Sequence, residues 1–127
     1  MPDPEEKSAG DRGEALAAGF LRKIGYEILR RNFRSRLGEI DLIARDGEEV
    51  VFVEVKTRSS ERWGEPEDAV TRGKQRRLYQ AAKQFADHNR LHDRTLRFDV
   101  VSVLLADGRE PEFTHFKDAF AAPRRGR

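Results

Sequence analysis

The chain has 127 residues, of which 38% are charged and 37% hydrophobic, with a formal net charge of +2 and no cysteine. A chain of this length supports one modest domain around a single core, and the lack of cysteine excludes a disulfide framework, a thiolate metal site and a cysteine nucleophile. No apolar run approaches the length of a membrane span and no signal-peptide pattern opens the chain, so the expectation is a cytoplasmic protein with no membrane association.

Residues 1–9, with Pro2, Pro4 and mixed charges, read as a disordered lead-in to a domain covering residues 10–120. From Asp11 to Ile24 the apolar positions Leu16, Phe20, Leu21 and Ile24 follow helical spacing, and Gly25 is placed to end the helix. Asp11 and Glu14 fit a variant of the capping box at its start. Tyr26 to Phe33 reads as a first strand. The net charge implies no polyanion partner, but its distribution is uneven: Arg22, Lys23, Arg30, Arg31, Arg34 and Arg36 lie in one short stretch opposed only by Glu27.

Two short strands follow, Gly38 to Ile43 and Val51 to Lys56, joined through Asp46-Gly47-Glu48-Glu49, a strong hairpin signal. Side chains alternate across a strand, so Ile40, Leu42 and Ala44 should share one face, and Glu39, Asp41 and Ile43 the other. In the second strand Val51, Val53 and Val55 form one set, and Phe52, Glu54 and Lys56 the other. A two-residue Asp46-Gly47 turn sets Asp41 opposite Phe52, whereas a four-residue loop sets it opposite Glu54. Either register brings the carboxylates of Asp41 and Glu54 together, about 4.5 to 8 Å apart at Cβ. Such a pair repels unless a cation, a proton or an amine compensates it. A magnesium ion held by one or two carboxylates, with manganese as a substitute, meets that demand while keeping waters for a substrate phosphate. Lys56, on the same face, is suited to stabilise developing charge or to position the attacking water. The bland alternative is a solvated sheet face carrying a cross-strand ion pair. The apolar Ile43 and Phe52 interleaved with these charges favour a semi-buried cleft.

Thr57 to Gly64, with Arg58 and Trp63, reads as a polar loop leaving the end of the third strand, and Pro66 suits the first turn of a helix beginning near Glu65. A longer helix is expected from about Gly73 to His88, with Leu78, Ala81, Ala82 and Phe85 facing the core. Around its start lies a second basic cluster, Arg72, Lys74, Arg76 and Arg77. The two clusters flank the acidic hairpin, an arrangement suited to clamping a phosphate backbone, with Arg31, Arg34, Arg36, Arg58 and Lys74 as the candidate contacts. Tyr26, Phe33 and Trp63 have the chemistry to stack on bases, although core packing is the commoner role. Gln75 and Tyr79, four apart, share a helix face. His88, His92 and His115 are scattered rather than set at ligand spacing, which argues against a zinc centre. Phe98 to Leu105 is a further strand, Glu112 to Phe116 a last short edge strand, and residues 121–127 a flexible basic tail. There is no internal repeat and no phosphate-binding glycine loop. This order of elements predicts an α/β domain with a mixed central β-sheet flanked by helices.

Gly38-Glu39-Ile40-Asp41-Leu42-Ile43, a hairpin and Val51-Phe52-Val53-Glu54-Val55-Lys56-Thr57-Arg58 resemble the YraN-like family, itself similar to archaeal Holliday-junction resolvases and part of the PD-(D/E)xK nuclease superfamily. The resemblance runs from about Gly10 to Val103 and takes in Gly13-Glu14. It implies a restriction-endonuclease-like fold in which Asp41 and Glu54 bind metal, Lys56 is catalytic and Glu14 completes the acidic cluster. Glu39 is an accessory candidate, as are Gln75 and Tyr79, whose spacing matches one found in some nuclease branches. Ile40 replaces the proline that precedes the first aspartate in the superfamily.

The expected activity is therefore metal-dependent hydrolysis of phosphodiester bonds in DNA, including branched DNA, with a homodimer compatible with the resolvase resemblance. Two other readings remain: a non-catalytic nucleic-acid-binding protein that keeps the nuclease scaffold, and an adaptor whose acidic face meets a protein partner.

Overall fold

The computed structural model describes residues 9–59, 70–91 and 93–121. The expected lead-in before Ala9, the loop tip with Trp63, the helical turn at Pro66, His92 and the tail beyond Ala121 lie outside the described residues. Two helices and five strands follow in the order α1 (Ala9–Lys23), β1 (Glu27–Arg34), β2 (Glu39–Asp46), β3 (Glu49–Arg58), α2 (Arg72–His88), β4 (Leu96–Leu104) and β5 (Glu112–Phe116). The strands form one sheet in sequence order. Only β3 and β4 run parallel; the other neighbours are antiparallel. A parallel pair requires a crossover, and α2 supplies it. The result is the expected single α/β domain with a mixed sheet.

Each helix covers one face. Ala17, Ala18 and Leu21 of α1 pack with Leu42, Ala44, Val51, Val53, Val101 and Val103. On the other side Leu78, Ala81, Ala82 and Phe85 of α2 pack with Ile43, Val50, Phe52, Phe98 and Val100. The central strands β3 and β4 are thus covered on both faces, so the polar side chains they carry, Glu54, Arg97, Asp99 and Ser102, are buried with them. No helix among the described residues is long and apolar enough to cross a membrane.

Three details differ from the sequence reading. Helix α1 begins at Ala9, so Asp11 lies inside its first turn and is not its N-cap. Ile24 falls beyond the helix and is 49% exposed, because the chain turns away through Gly25 before that position can face the sheet. Ile40 does not share the face of Leu42; it packs on the α2 side with Phe33, its partner in β1. Asn32, just before Phe33, has a left-handed backbone (φ 54°), although the pairing register runs on unbroken from Arg31–Leu42 to Phe33–Ile40.

Sequence patterning did not reveal a buried ionic network on the α1 side, towards the hairpin end. Asp99 is fully buried and Arg97 is 4% exposed. The Asp99 carboxylate accepts from Arg97 Nε at 2.9 Å and from the Asp118 N–H at 3.0 Å, and it lies 2.7 Å from His115 Nε2. Arg97 also donates to Asp46 at 2.9 Å, to Glu49 at 2.8 Å and to the Tyr26 hydroxyl. Burial alone would raise the Asp99 pKa, but the bonds from His115, Arg97 and Asp118 outweigh it and hold the group at about 2. Burial, together with the Asp99 charge, pushes the Tyr26 hydroxyl up to about 12. Tyr26 and Phe33, the latter edge-on to Phe85 at 5.3 Å, are therefore engaged in the core. Asp99→Ala removes the centre of this network and leaves charge buried with fewer partners. It should cost about 3 to 5 kcal/mol, measured by urea unfolding, with the wild type losing this contribution only as pH falls from 3.8 towards about 2.

Candidate active site

The hairpin register decides where the carboxylates meet. Asp46 pairs with Glu49 and Leu42 with Val53, so continuing the ladder by one step sets Asp41 against Glu54. Of the two expected registers, this is the one that places them directly opposite. Backbone pairing stops at Leu42 and Val53, and beyond it the Val55 N–H donates to Asp41 Oδ2 at 2.8 Å. A side chain thus takes over where the ladder ends, which orients the Asp41 carboxylate towards β3.

Glu54 is 5% exposed, and charge holds it: Lys56 Nζ lies 3.8 Å from Oε2, and Lys74 Nζ is in direct contact with the same oxygen. Burial raises the Asp41 pKa to about 8, reinforced by the hydrogen bond with Glu54 and its negative charge and only partly offset by the Val55 N–H. Asp41 is therefore protonated at neutral pH, the compensation expected for two facing carboxylates without a cation between them. Burial and the neighbouring Lys74 hold the Lys56 ammonium below its ordinary value, against the pull of Glu54. Lys74 goes the other way: burial opposes its charge, but Glu54 beside it prevails and raises its pKa.

Glu14 approaches from α1. Its pKa is raised by burial and by Asp11, lowered by Arg31, and raised again by Glu54, so it senses the same site. It does not complete a compact cluster, since among the described residues no three acidic or histidine side chains stand together as a metal-binding group. Two glycines allow the elements to close around the carboxylates. A Cβ on Gly13 would lie 1.9 Å from Thr57 Oγ1 and 3.1 Å from Thr57 Cβ, so only glycine lets α1 rest on β3 here. A Cβ on Gly38 would meet the Arg77 carbonyl oxygen at 2.9 Å, so the start of β2 lies directly against the α2 backbone.

The remaining candidates are distributed unevenly. Glu39 is exposed and pairs with Arg34 at 3.4 Å. Gln75 donates to the Val70 carbonyl at 2.9 Å, fixing the entry to α2, and Tyr79 packs against Phe98 with ring centroids 6.4 Å apart. Arg31 and Arg34 both lower the Glu14 pKa and so border the site, whereas Arg36 is exposed in the β1–β2 turn. Arg58 lines an open cavity with Arg12, Ser59 and Arg109 at the end of β3. Lys74, read from sequence as a surface phosphate contact, stands inside the site. The signal for this was present: Leu78, Ala81, Ala82 and Phe85, the inward stripe of α2, lie four, seven, eight and eleven residues after it.

Fold and site together define a small α/β domain that presents a facing carboxylate pair, Glu54 buried and Asp41 half-buried, with two lysines beside it where β2 and β3 cease to pair. A family model described as "Uncharacterised protein family UPF0102" matches residues 13–103, which span the whole site. A UPF0102 protein of Trichlorobacter lovleyi is 50% identical over 115 residues, covering 90% of this chain and 91% of the relative. One from Rhodococcus opacus is 47% identical over 111 residues, covering 87% and 94%, and one from Caldicellulosiruptor saccharolyticus is 48% identical over 100 residues, covering 79% and 85%. The chain belongs to the UPF0102, or YraN-like, family.

Gly13→Ala should destabilise the fold despite the gain of about 1 kcal/mol in helix propensity, because overpacking costs about 1 to 3 kcal/mol. Urea unfolding should show the loss, and adding Thr57→Ala should recover part of it. The folded Asp41 pKa of about 8, against 3.8 for the free group, means that the folded protein keeps a proton which the unfolded chain releases. This contribution to stability is fully present below 3.8 and is lost as pH rises through about 8. In chelator, the melting temperature should fall across that interval, and Asp41→Asn should flatten the slope.

Proposed function

We propose that this protein is a metal-dependent nuclease that hydrolyses phosphodiester bonds in DNA. The observation that carries the reading is the facing pair of half-buried Asp41 and buried Glu54, with two ammonium groups gathered on Glu54. The resemblance to resolvases supports the choice of DNA, with branched DNA as a candidate substrate and a homodimer as the form that would cut two strands. The donor set fits a hard cation: two carboxylates, one of them with a buried oxygen that attracts positive charge. Magnesium or manganese would be held by Asp41 and Glu54, with Glu14 as an outer ligand. Such an ion polarises the scissile phosphate and makes bound water more acidic.

The chain's own residues supply the rest. Lys56, whose ammonium stands 3.8 Å from Glu54, is suited to stabilise charge on the phosphate and to position the attacking water. Arg31 and Arg34 beside Glu14, with Arg36 and Arg58 further out, would hold the phosphate backbone. Glu39, Gln75 and Tyr79 would act on the site through the strand and helix that carry them. A second reading, a non-catalytic nucleic-acid binder, is favoured by one observation: no third carboxylate joins the pair in a compact metal-binding group among the described residues.

Labelled single-stranded, duplex and four-way-junction DNA, each incubated with magnesium, manganese or chelator, separates the two. The nuclease reading expects metal-dependent cutting that falls at least ~100-fold in Asp41→Ala, Glu54→Ala and Lys56→Ala. Salt-sensitive binding without cutting, indifferent to metal, would establish the binder instead.

A further inference from the structure

We infer that Lys74 is an internal counter-cation: it occupies the cation position at Glu54 in the metal-free protein and is released towards substrate phosphate when metal binds. This inference rests on the metal reading above and adds a residue that couples the two ligands. Lys74 Nζ contacts Glu54 Oε2, a buried oxygen on the strand beside Asp41. A divalent ion and an ammonium repel each other, so they cannot both sit on that oxygen. Lys56 is already 3.8 Å away, which leaves Lys74 as the group that must yield.

The local structure allows such a move. The backbone of Lys74 is fixed, because its N–H donates to the N-cap hydroxyl of Thr71 at 3.2 Å, while four flexible methylenes carry the ammonium. The first turn of α2 contains no acidic residue, and Arg72 and Arg76 beside Lys74 are exposed. Cations at a helix N-terminus oppose the macrodipole, so the first turn of α2 favours an anion that it does not itself carry. Among the described residues, Glu54 supplies one to Lys74. Once displaced, Lys74 would join Arg72 and Arg76 on a phosphate of the bound strand, and metal and DNA would each strengthen binding of the other.

The test is manganese binding by titration calorimetry to the DNA-free full chain, wild type against Lys74→Met. A second variant, Lys74→Gln, keeps a donor to Glu54 without its charge and guards against a folding defect. In parallel, fluorescence anisotropy follows binding of a phosphorothioate duplex with manganese or chelator. Removing the charge should tighten manganese binding about 5-fold or more, and metal should enhance DNA binding less in the variants than in the wild type. A purely structural lysine would not produce a gain in metal affinity. Saturable manganese binding that is equal or weaker in both variants overturns the counter-cation role and leaves the metal reading standing. No saturable binding by any of the three proteins overturns both.

Discussion

A carboxylate in the middle of a strand that is buried on both faces has to be compensated, and Glu54 is such a carboxylate. Its neighbours in β3 are Val53 and Val55, and the sheet beside it is closed by β4. Water cannot solvate it, so the protein must. Asp41 responds by keeping a proton, Lys56 by tolerating burial, and Lys74 by reaching from α2 to make contact. Each response fixes a different element: Asp41 ties β2 to β3 through the Val55 N–H, and Lys74 ties α2 to the sheet. The close approaches at Gly13 and Gly38 bring both helices to the same place.

The Arg97–Asp99 network shows what a buried charge looks like when structure is its only task. There the carboxylate has a full set of directed partners, and its pKa is driven down to about 2. At Glu54 the partners are ammonium groups on flexible stems, both gathered on one oxygen, and the neighbouring Asp41 is pushed up to about 8. The first arrangement is satisfied and has nothing to gain from a ligand. The second is held by mobile charge that a ligand can replace, and perturbed groups of this kind gather at functional sites.

The hairpin was legible in the sequence because strand periodicity is two and the alternative registers differed by two. Asp41 and Glu54 therefore faced the same side whichever turn formed, and only the direct opposition awaited the structure. The helices were legible from their apolar spacing, although the pattern ran one residue too far at Ile24, where exit from the helix overrode periodicity. Contacts made by docking were not legible. Lys74 reaches Glu54 only because a right-sized crossover returns α2 across the end of β3, and no local pattern encodes that distance. The Asp99–His115 contact likewise depends on how β5 pairs with β4, and a two-strand register without a tight turn cannot be counted from spacing. Ile40 turns to the α2 side together with Phe33, its partner in another strand, so no reading of β2 alone would find it.

The charge state of the site also constrains how any cation can enter. Burial and the facing Glu54 favour the protonated form of Asp41, and Glu54 is matched by lysines, so under the metal reading proposed above a dication would meet one ionised ligand, already engaged. Its binding would have to remove a proton from Asp41 and an ammonium from Glu54 together. Both steps would act in one direction: they would convert a self-compensated cluster into two free carboxylates and leave a lysine without its anion. A site with a third fixed carboxylate would bind metal more tightly but would hold it whether or not substrate was present. If the proposed metal site is real, with the Glu14 carboxyl drawn towards its charged form by Arg31 and Arg34, metal affinity would depend on what the displaced lysine meets next, and a phosphate backbone has the charge to complete the exchange.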